Sequence, residues 1–564
     1  MAVEKLIVDH IDTWTTALQT RSTAGRGSSG KIDLYGIKKL RELILELAVR
    51  GKLVPQDPND EPASELLKRI AAEKAELVKQ GKIKKQKPLP GIREEEKPFD
   101  LPVGWEWVRF GSIYEMEYGN NLPQEKRSNS GEYNVYGSNG IVGTHNEACI
   151  KSPCIVIGRK GSAGALNLSD QAACWVTDVA YSTIPPSAMN LEFVFIQFHT
   201  LGLDTLGKGI KPGLNRNDAY NLTIAIPPQS EQKAIVSKVN ELMSLCDQLE
   251  QYSLTSLDAH QQLVETLLTT LTTLTSSQNA DELAENWARI SEHFDTLFTT
   301  EASIDALKQT ILQLAVMGKL VPQDPNDEPA SELLKRIAKE KVQLVKDGKM
   351  KKQKPLPPIS DEEKPFVTPN NWEWVRFGEI GEIKGGGTPS KNNSAFWEGD
   401  IPWVSPKDMK VDYISKSELS ISQDAVQNSS VTLISEESLL FVVRGMILAH
   451  TFPVAISKKE VTINQDMKAI STDLYHPDFL IKMMQACSIR VLSLVDRSSH
   501  GTCKLVSDKL FSLVLPLPPL KEQLRISSEV DSFINDCEKL KKIIKATQQT
   551  QLHLADALTE AAIN

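Results

Sequence analysis

A long internal duplication restricts this chain to folds that contain two related halves. Residues 51–111 align without a gap on residues 318–378, and 49 of the 61 aligned positions are identical. The first 21 residues of both copies, GKLVPQDPNDEPASELLKRIA, are unchanged. Because self-similarity of this length marks a duplicated structural unit, we predict two similar helical modules in one chain.

A second, shorter repeat closes each half. Pro227-Pro228 is followed by Glu231-Gln232, and Pro518-Pro519 is followed by Glu522-Gln523. The segment between the two repeats is 24 residues longer in the second half and has little in common with its counterpart. We therefore predict a conserved frame that carries two divergent globular domains. The predicted boundaries are 1–104 for an N-terminal helical frame region, 105–228 for the first domain, 229–371 for a central frame region with a long helix, 372–519 for the second domain, and 520–564 for a C-terminal long helix.

The segments after the two Pro-Pro pairs are predicted to be long helices. Each has a glutamate in its first turn, which suits the helix dipole, and apolar residues that recur at spacings of four and three. These positions are Ile235, Val239, Leu242, Cys246 and Leu249 in the first, and Ile526, Val530, Phe533, Cys537 and Leu540 in the second. The pattern predicts a coiled-coil pair in an orientation that it leaves open. Each helix would extend about 60–65 Å, enough to hold two globular domains apart. Polar residues at Ser253 and Ser256 predict a break in the first helix.

The N-terminus carries a weak third repeat. Ile7 and His10 match Ile290 and His293 at an offset of 283, and residues 21–30 form a Gly/Ser-rich tether. Only the later copy is preceded by a long helix. We therefore predict that the C-terminal helix supplies this missing neighbour to the N-terminus, which would give a pseudo-twofold circular arrangement.

Composition and charge narrow the functional classes. A chain of 564 residues is too long to fold around one hydrophobic core. We recognise no signal peptide at the N-terminus, and no apolar run approaches the roughly 20 residues of a membrane span. We expect a cytoplasmic protein that does not associate with membranes, with its seven cysteines reduced. The net charge of −9 argues against a uniformly basic DNA-binding surface. Residues 112–228 and 379–519 each have a net charge of −2, so DNA binding requires basic groups clustered on one face.

Together, these motifs resemble the specificity subunits of Type I restriction-modification systems over the whole chain. Both divergent domains begin with WEWVRFG, and the VEKLIVDH start with the GKLVPQDPNDEP frame is similar to the enterobacterial branch. The resemblance implies a non-catalytic subunit that binds double-stranded DNA, two methyltransferase (modification) subunits and two restriction/translocase subunits. It implies no cofactor on this chain, and S-adenosylmethionine, ATP and magnesium on the partner subunits.

The two divergent domains resemble different groups of target-recognition domains. Residues 133–143 and 157–162 are similar to one group, whereas residues 385–390, 401–403 and 464–466 are similar to another. Two unlike domains imply a bipartite, asymmetric DNA target. The predicted fold class is α+β, with two mainly-β target-recognition domains separated by two long paired helices.

Candidate DNA contacts are Arg, Lys, Asn, Gln and Thr side chains close to glycine or proline in expected loops, because these groups match base edges in the major groove. In the first domain they are Asn139, Arg159, Lys160, Lys211, Asn215 and Arg216, and in the second Lys384, Thr388, Lys407, Arg444, Gln465, Lys468, Arg497 and Lys504. Ordinary surface solvation is the alternative for each residue. Gly385–Gly387 fits either a tight turn or a phosphate contact through its backbone. The lysine-rich tracts Lys82–Lys87 and Lys349–Lys354 fit either a solvated linker or a phosphate contact.

Catalytic and metal-binding motifs are not evident. Gly202–Gly209 approaches a nucleotide-binding loop but has glycine where a magnesium-binding Ser or Thr is required. His145, Cys149, Cys154 and Cys174 match no zinc spacing. Every Pro-Pro pair follows Ile or Leu, unlike the motif of adenine methyltransferases. We therefore predict no catalytic and no metal-binding residue. Two alternatives stay open: a protein-binding assembly scaffold, favoured by the acidic pI of 5.7, and a self-sufficient DNA-modifying enzyme.

Overall fold

The structure is a computed structural model that describes residues 3–21, 31–81, 83, 87–207, 213–273, 280–346, 356–497 and 503–564. The described helices are α1 Val3–Asp9, α2 Ile11–Thr16, α3 Tyr35–Val49, α4 Ala63–Lys79, α5 Phe110–Ile113, α6 Leu191–His199, α7 Arg216–Tyr220, α8 Gln229–Thr273, α9 Ala280–Glu292, α10 Phe294–Leu297, α11 Glu301–Val316, α12 Ala330–Lys346, α13 Gln423–Asn428, α14 Pro477–Ala486, α15 Ser488–Leu492, α16 Ser507–Phe511 and α17 Leu520–Ile563.

The strands belong to short sheets. They are β1 Gln19–Arg21, β2 Lys31–Asp33, β3 Glu106–Arg109, β4 Glu117–Tyr118, β5 Tyr133–Gly137, β6 Gly140–His145, β7 Cys154–Gly158, β8 Leu166–Ser169, β9 Trp175–Val176, β10 Ala180–Thr183, β11 Thr223–Ile226, β12 Glu373–Arg376, β13 Glu382–Gly385, β14 Ile401–Val404, β15 Tyr413–Ile414, β16 Leu419–Ile421, β17 Leu439–Val442, β18 Val454–Ser457, β19 Thr462–Ile463, β20 Met467–Ser471, β21 Val495–Arg497, β22 Cys503–Leu505 and β23 Val514–Leu517. The predicted combination of helical frame and strand-rich domains is confirmed.

The described residues form two compact units. The first contains Met1–Arg21, Lys31–Thr255 and Gln548–Asn564, and the second contains Ser256–Thr547. Each unit therefore holds one divergent domain, the first part of one long helix and the last part of the other. Within the described ranges, no helix combines the length and apolar character needed to cross a membrane.

In the first unit, the N-terminal frame is built on α3. Its buried residues Ile37, Leu40, Ile44 and Leu47 recur at helical spacing, so one face is apolar. The helix ends at Gly51, whose φ of +66° a residue with a side chain rarely adopts. An added Cβ there would also lie only 2.5 Å from the Pro102 ring. This double requirement explains why glycine begins the repeat.

The end of α17 lies against the same frame. Tyr35 donates a hydrogen bond to Asp556 over 2.7 Å, and the Lys52 ammonium donates to the Ile563 carbonyl over 2.6 Å. The prediction that the C-terminal helix reaches the N-terminal frame is confirmed within this unit.

The second unit repeats this frame with α11. Ile304, Leu307, Ile311 and Leu314 occupy the positions of the α3 residues 37, 40, 44 and 47, and they are buried in the same way. Gly318 again ends the helix with a positive φ, of +70°. Val264 of α8 and Cys537 of α17 lie in one apolar core with Ile304, Leu307 and Ile311. The predicted pairing of the two long helices is therefore confirmed in this unit.

Two details differ from, or extend, the sequence predictions. The expected break in α8 is wrong, because the helix runs without interruption from Gln229 to Thr273. Ser253 is buried within the continuous helix and Ser256 is exposed to solvent, so neither hydroxyl interrupts the backbone hydrogen bonds. The weak N-terminal repeat corresponds to a shared local structure: α1 and α2 meet at His10, just as α9 and α10 meet at His293.

Each divergent domain is closed by a ladder between its first and last strands. In the first domain β3 pairs antiparallel with β11, and in the second β12 pairs antiparallel with β23. The remaining strands form sheets of order β4-β10-β7-β8 and β6-β5-β9 in the first domain. In the second domain the orders are β13-β20-β17-β18-β15, β16-β14-β19 and β21-β22. The first strand of each ladder lies in the repeated WEWVR motif, and the last strand ends at the Pro-Pro motif.

Candidate nucleic-acid interface

Three loops of the first domain bring its candidate residues together. The turn between β5 and β6 carries Asn139, and an added Cβ on Gly158 would lie 2.4 Å from the Ser138 carbonyl of this turn. The loop after β7 carries Arg159 and Lys160. Backbone hydrogen bonding from Leu214 to the Arg159 carbonyl, over 2.9 Å, brings the segment before α7 to the same place.

Two arginines in this region stack on one tyrosine. The guanidinium carbons of Arg159 and Arg216 lie 4.8 and 5.0 Å from the centre of the Tyr118 ring. The exposed ring supports both cations by cation–π attraction, which holds their charges at the surface. Arg159 also donates to the Asp178 carbonyl over 2.7 Å, which fixes one side of its guanidinium.

We call Tyr118, Asn139, Arg159, Lys160 and Arg216 the first cluster. Asn139 and Lys160 are exposed, so their polar groups are accessible to a ligand. Asn215 is adjacent, but its side-chain oxygen caps α7 by accepting from the Asn217 backbone over 3.0 Å. This cap is a structural role that its sequence position did not reveal. Lys211 lies outside the described residues.

Four segments of the second domain meet in a similar way. The Arg444 amide donates to the Asp466 carbonyl over 3.2 Å, and Arg444 forms a β-bridge with Lys504. Thr388 donates a short hydrogen bond to Gln465. Arg497 lies on the neighbouring β21 and donates to the Ala449 carbonyl over 3.2 Å.

We call Thr388, Arg444, Gln465, Arg497 and Lys504 the second cluster. Except for half-buried Thr388, its members are exposed. The nearby Asp466 carboxylate lies 3.8 Å from the Arg444 guanidinium and offsets part of its charge. The cluster therefore presents cations, an amide and a hydroxyl together, which is the set of groups that recognises phosphates and base edges.

Three other candidates of the second domain are not part of the second cluster. Lys384 forms an ion pair with Glu382 at 3.5 Å. The Lys468 ammonium lies 5.8 Å from the centre of the Phe511 ring. Lys407 is exposed in the loop after β14. These contacts leave the three lysines as secondary candidates.

The glycine run at the start of the second cluster is explained by backbone packing. The Gly386 amide donates to the Met467 carbonyl, and the Gly387 amide donates to the Ile463 carbonyl. An added Cβ on Gly386 would lie 1.8 Å from the Asn464 carbonyl. Because both amides are already bonded, they are not available to a phosphate. The tight-turn interpretation is wrong as well, because Gly385 ends strand β13 and neither Gly386 nor Gly387 lies in a turn.

Two of the three cysteines of the first domain, Cys154 and Cys174, lie in a buried apolar core. The thiols of Cys154 and Cys174 lie 3.8 Å apart in a buried core, and the His145 ring packs edge-on against Trp175. Among the described residues, no three His, Cys, Asp or Glu side chains are grouped to hold a metal ion. No disulfide joins any of the seven cysteines, all of which the structure describes.

Tyr118 is the member of the first cluster that the sequence analysis missed. It lies in the two-residue strand β4, within Glu117-Tyr118-Gly119, where no motif marks it. Its role follows from arginines 41 and 98 positions away in the chain, so only the tertiary structure reveals it.

Known proteins resemble this chain along its whole length. The model of the Type I restriction modification DNA specificity domain matches residues 102–258 and 369–548. The Type I restriction enzyme EcoAI specificity subunit of Escherichia coli is 49% identical over 613 aligned residues, which cover 100% of both chains. The EcoEI specificity subunit of the same species is 47% identical over 606 aligned residues, again covering 100% of both.

Solved structures also align over most of the chain. The crystal structure of the HsdS subunit from Thermoanaerobacter tengcongensis is 17% identical, with a TM-score of 0.37, and the alignment covers 83% of this chain and 98% of that one. A chain from a solved type I R-M system is 18% identical, with a TM-score of 0.46 and coverage of 83% and 99%. By its matches to the domain family and to two full-length relatives, this chain belongs to the DNA specificity subunits of Type I restriction-modification systems.

Proposed function

We propose that the two clusters recognise the two unlike halves of a bipartite, asymmetric DNA target. The observation that carries this proposal is the convergence of candidate residues from separate loops into one group in each domain, whose members are exposed or half-buried. Each domain has a net charge of −2 outside its opening motif, yet its cluster concentrates cations. Local concentration of charge is what phosphate binding requires of an acidic protein.

DNA binding by the assembled enzyme tests the clusters directly. The double variant Arg159→Ala/Lys160→Ala should weaken binding to a mapped target by about 1–3 kcal/mol if a base contact is lost. If a phosphate contact is lost, the slope of log affinity against log salt concentration should become smaller by about one. Arg444→Ala/Lys504→Ala should act in the same way in the second domain. Lys126→Ala and Lys416→Ala remove exposed lysines of the same domains outside the clusters and serve as controls. Wild-type affinity in both double variants would contradict the proposal.

We further propose that each frame copy docks one methyltransferase subunit, and that the restriction/translocase subunits join the resulting complex. Support comes from surface ion pairs that the two copies reproduce. Arg69 pairs with Glu61 at 2.6 Å, and Arg336 pairs with Glu328 at 3.0 Å at the equivalent place. Two identical exposed surfaces suit two copies of one partner. S-adenosylmethionine, ATP and magnesium would then bind to the partners, in the cytoplasm.

Subunit stoichiometry tests this docking. Arg69→Glu or Arg336→Glu alone would replace an ion pair of the docking surface by two neighbouring glutamates on one copy of the frame. The number of methyltransferase subunits bound per specificity subunit should then fall from two to one. The combined variant should retain none. Native mass spectrometry of co-purified complexes measures the ratio, with Lys126→Ala as control. Two bound subunits in the combined variant would show that this surface is not the docking site.

A further inference from the structure

Two pairs of exposed apolar residues stand out in the described part of the chain. Ile141 and Val142 are 56% and 44% exposed, and Met446 and Ile447 are 57% and 38% exposed. Among the exposed large apolar side chains that the structure describes, only these two pairs are consecutive in sequence. Single exposed apolar residues are ordinary on a protein surface, whereas adjacent ones form a patch that needs a reason.

The two pairs are presented in the same way. Gly140, with a φ of +105°, immediately precedes the first pair, and Gly445, with a φ of +141°, immediately precedes the second. At both places the chain turns through a conformation that favours glycine and then exposes two apolar side chains. The surrounding folds differ, because the first pair lies on strand β6 and the second begins a short 3-10 helix, Met446–Ala449.

Each pair lies beside one of the two clusters. Ile141 and Val142 follow the turn that carries Asn139 and abuts the loop of Arg159. Met446 and Ile447 follow Arg444 directly. The Gly445 amide donates to the Cys503 carbonyl over 3.0 Å, which anchors this segment next to Lys504. In both domains an apolar pair is thus placed among cationic and amide side chains.

Aliphatic side chains can complement only one feature of a base edge. They have neither a donor nor an acceptor, so burying them against a polar edge would leave that edge unpaired. The C5-methyl group of thymine is the apolar feature that the major groove displays. Neighbouring cations would meanwhile contact phosphates and guanine edges.

We propose that Ile141–Val142 and Met446–Ile447 each contact a thymine methyl group, so that each half of the DNA target contains an A·T pair recognised through its methyl. This inference rests on the proposed function of the two clusters. It assigns a specific part of the readout to residues that carry no polar group.

Replacing thymine by uracil in the DNA isolates this contact, because uracil keeps every hydrogen-bonding group and lacks only the methyl. The assembled enzyme would be titrated with synthetic duplexes of the mapped target in which each thymine is replaced singly. We expect at least one position in each half where uracil weakens binding about fourfold, as expected for one buried methyl group. Ile141→Ala/Val142→Ala should abolish the difference at one such position, and Met446→Ala/Ile447→Ala at the other.

Exposed isoleucines elsewhere in the same domains provide matched controls. Ile184→Ala and Ile489→Ala should keep the full difference between thymine and uracil, since their side chains lie outside the two pairs. Specific binding with no effect of uracil, or a uracil effect that persists in both double variants, would overturn the inference and leave the proposed function standing. Absence of any sequence-dependent binding by the wild-type enzyme would instead overturn the proposed function itself.

Discussion

At the residue scale, the frame depends on a buried glutamate that the sequence offers twice. Trp105 donates to Glu231 over 2.8 Å, and Trp372 donates to Glu522 over 3.0 Å. Gln56 adds a second donor to Glu231 over 3.2 Å. Burial raises the pKa of the Glu231 carboxyl, and these two hydrogen bonds oppose the rise. The first turn of each long helix is therefore fixed to the tryptophan that opens the adjoining domain.

Trp105→Phe should destabilise the protein by about 1–3 kcal/mol, because it removes a donor from a buried carboxylate. Trp372→Phe should have a similar effect in the second copy. The midpoint of urea unfolding, followed by circular dichroism, measures the loss. Trp107→Phe is the control, since phenylalanine can keep the aromatic contact with Phe99, whose ring centre lies 4.8 Å away. Equal midpoints for all three variants would show that the Trp–Glu bond adds nothing.

At the scale of helices, the two frame copies share one ion pair and differ in the charges at a second pair of positions. In the first unit, Arg41 of α3 binds Asp247 and Glu250 of α8, both at 2.7 Å. In the second unit, Lys308 of α11 binds Glu538 of α17 at 2.6 Å, and Lys541 binds Asp305 at 2.9 Å. Lys541 is the counterpart of Glu250, and Asp305 is the counterpart of Lys38, so one pair of positions has reversed charges.

Because of this reversal, the charge on each long helix is opposite to the charge on the frame helix of its own unit. On the frame helix of the other unit, it would meet a like charge. Lys541→Glu should lower the stability of the second unit by roughly 0.5–1 kcal/mol, because partly exposed ion pairs contribute little. Adding Asp305→Lys should recover most of the loss by recreating the charges of the first copy. Thermal unfolding at low and high salt measures both effects, which salt should reduce. Failure of the second substitution to rescue the first would exclude a matched pair.

At the scale of the whole molecule, the two clusters are expected to act on different parts of the target. Asn139→Ala should relax discrimination at one position of one half, and Gln465→Ala at one position of the other, each by about 1–3 kcal/mol. Sequencing of modified adenines in cells that carry each variant measures the change in the methylated motif. A single substitution that altered both halves would contradict independent readout by two domains.

The sequence by itself determined the organisation of this protein. The duplicated frame, the two long helices and the family could be predicted because repeats, periodic apolar residues and sequence motifs are local properties of the chain. The predicted break near Ser253 was wrong, because a polar residue in an apolar seam does not by itself interrupt the backbone hydrogen bonds of a helix.

Only the tertiary structure decided which polar residues form a surface. Asn215 caps a helix, the glycine run packs against a strand, and Tyr118 joins two distant arginines. The paired apolar residues after Gly140 and Gly445 also became visible only through their exposure. The physical reason is that a side chain's role depends on neighbours brought together by long-range packing, which the order of residues along the chain does not specify.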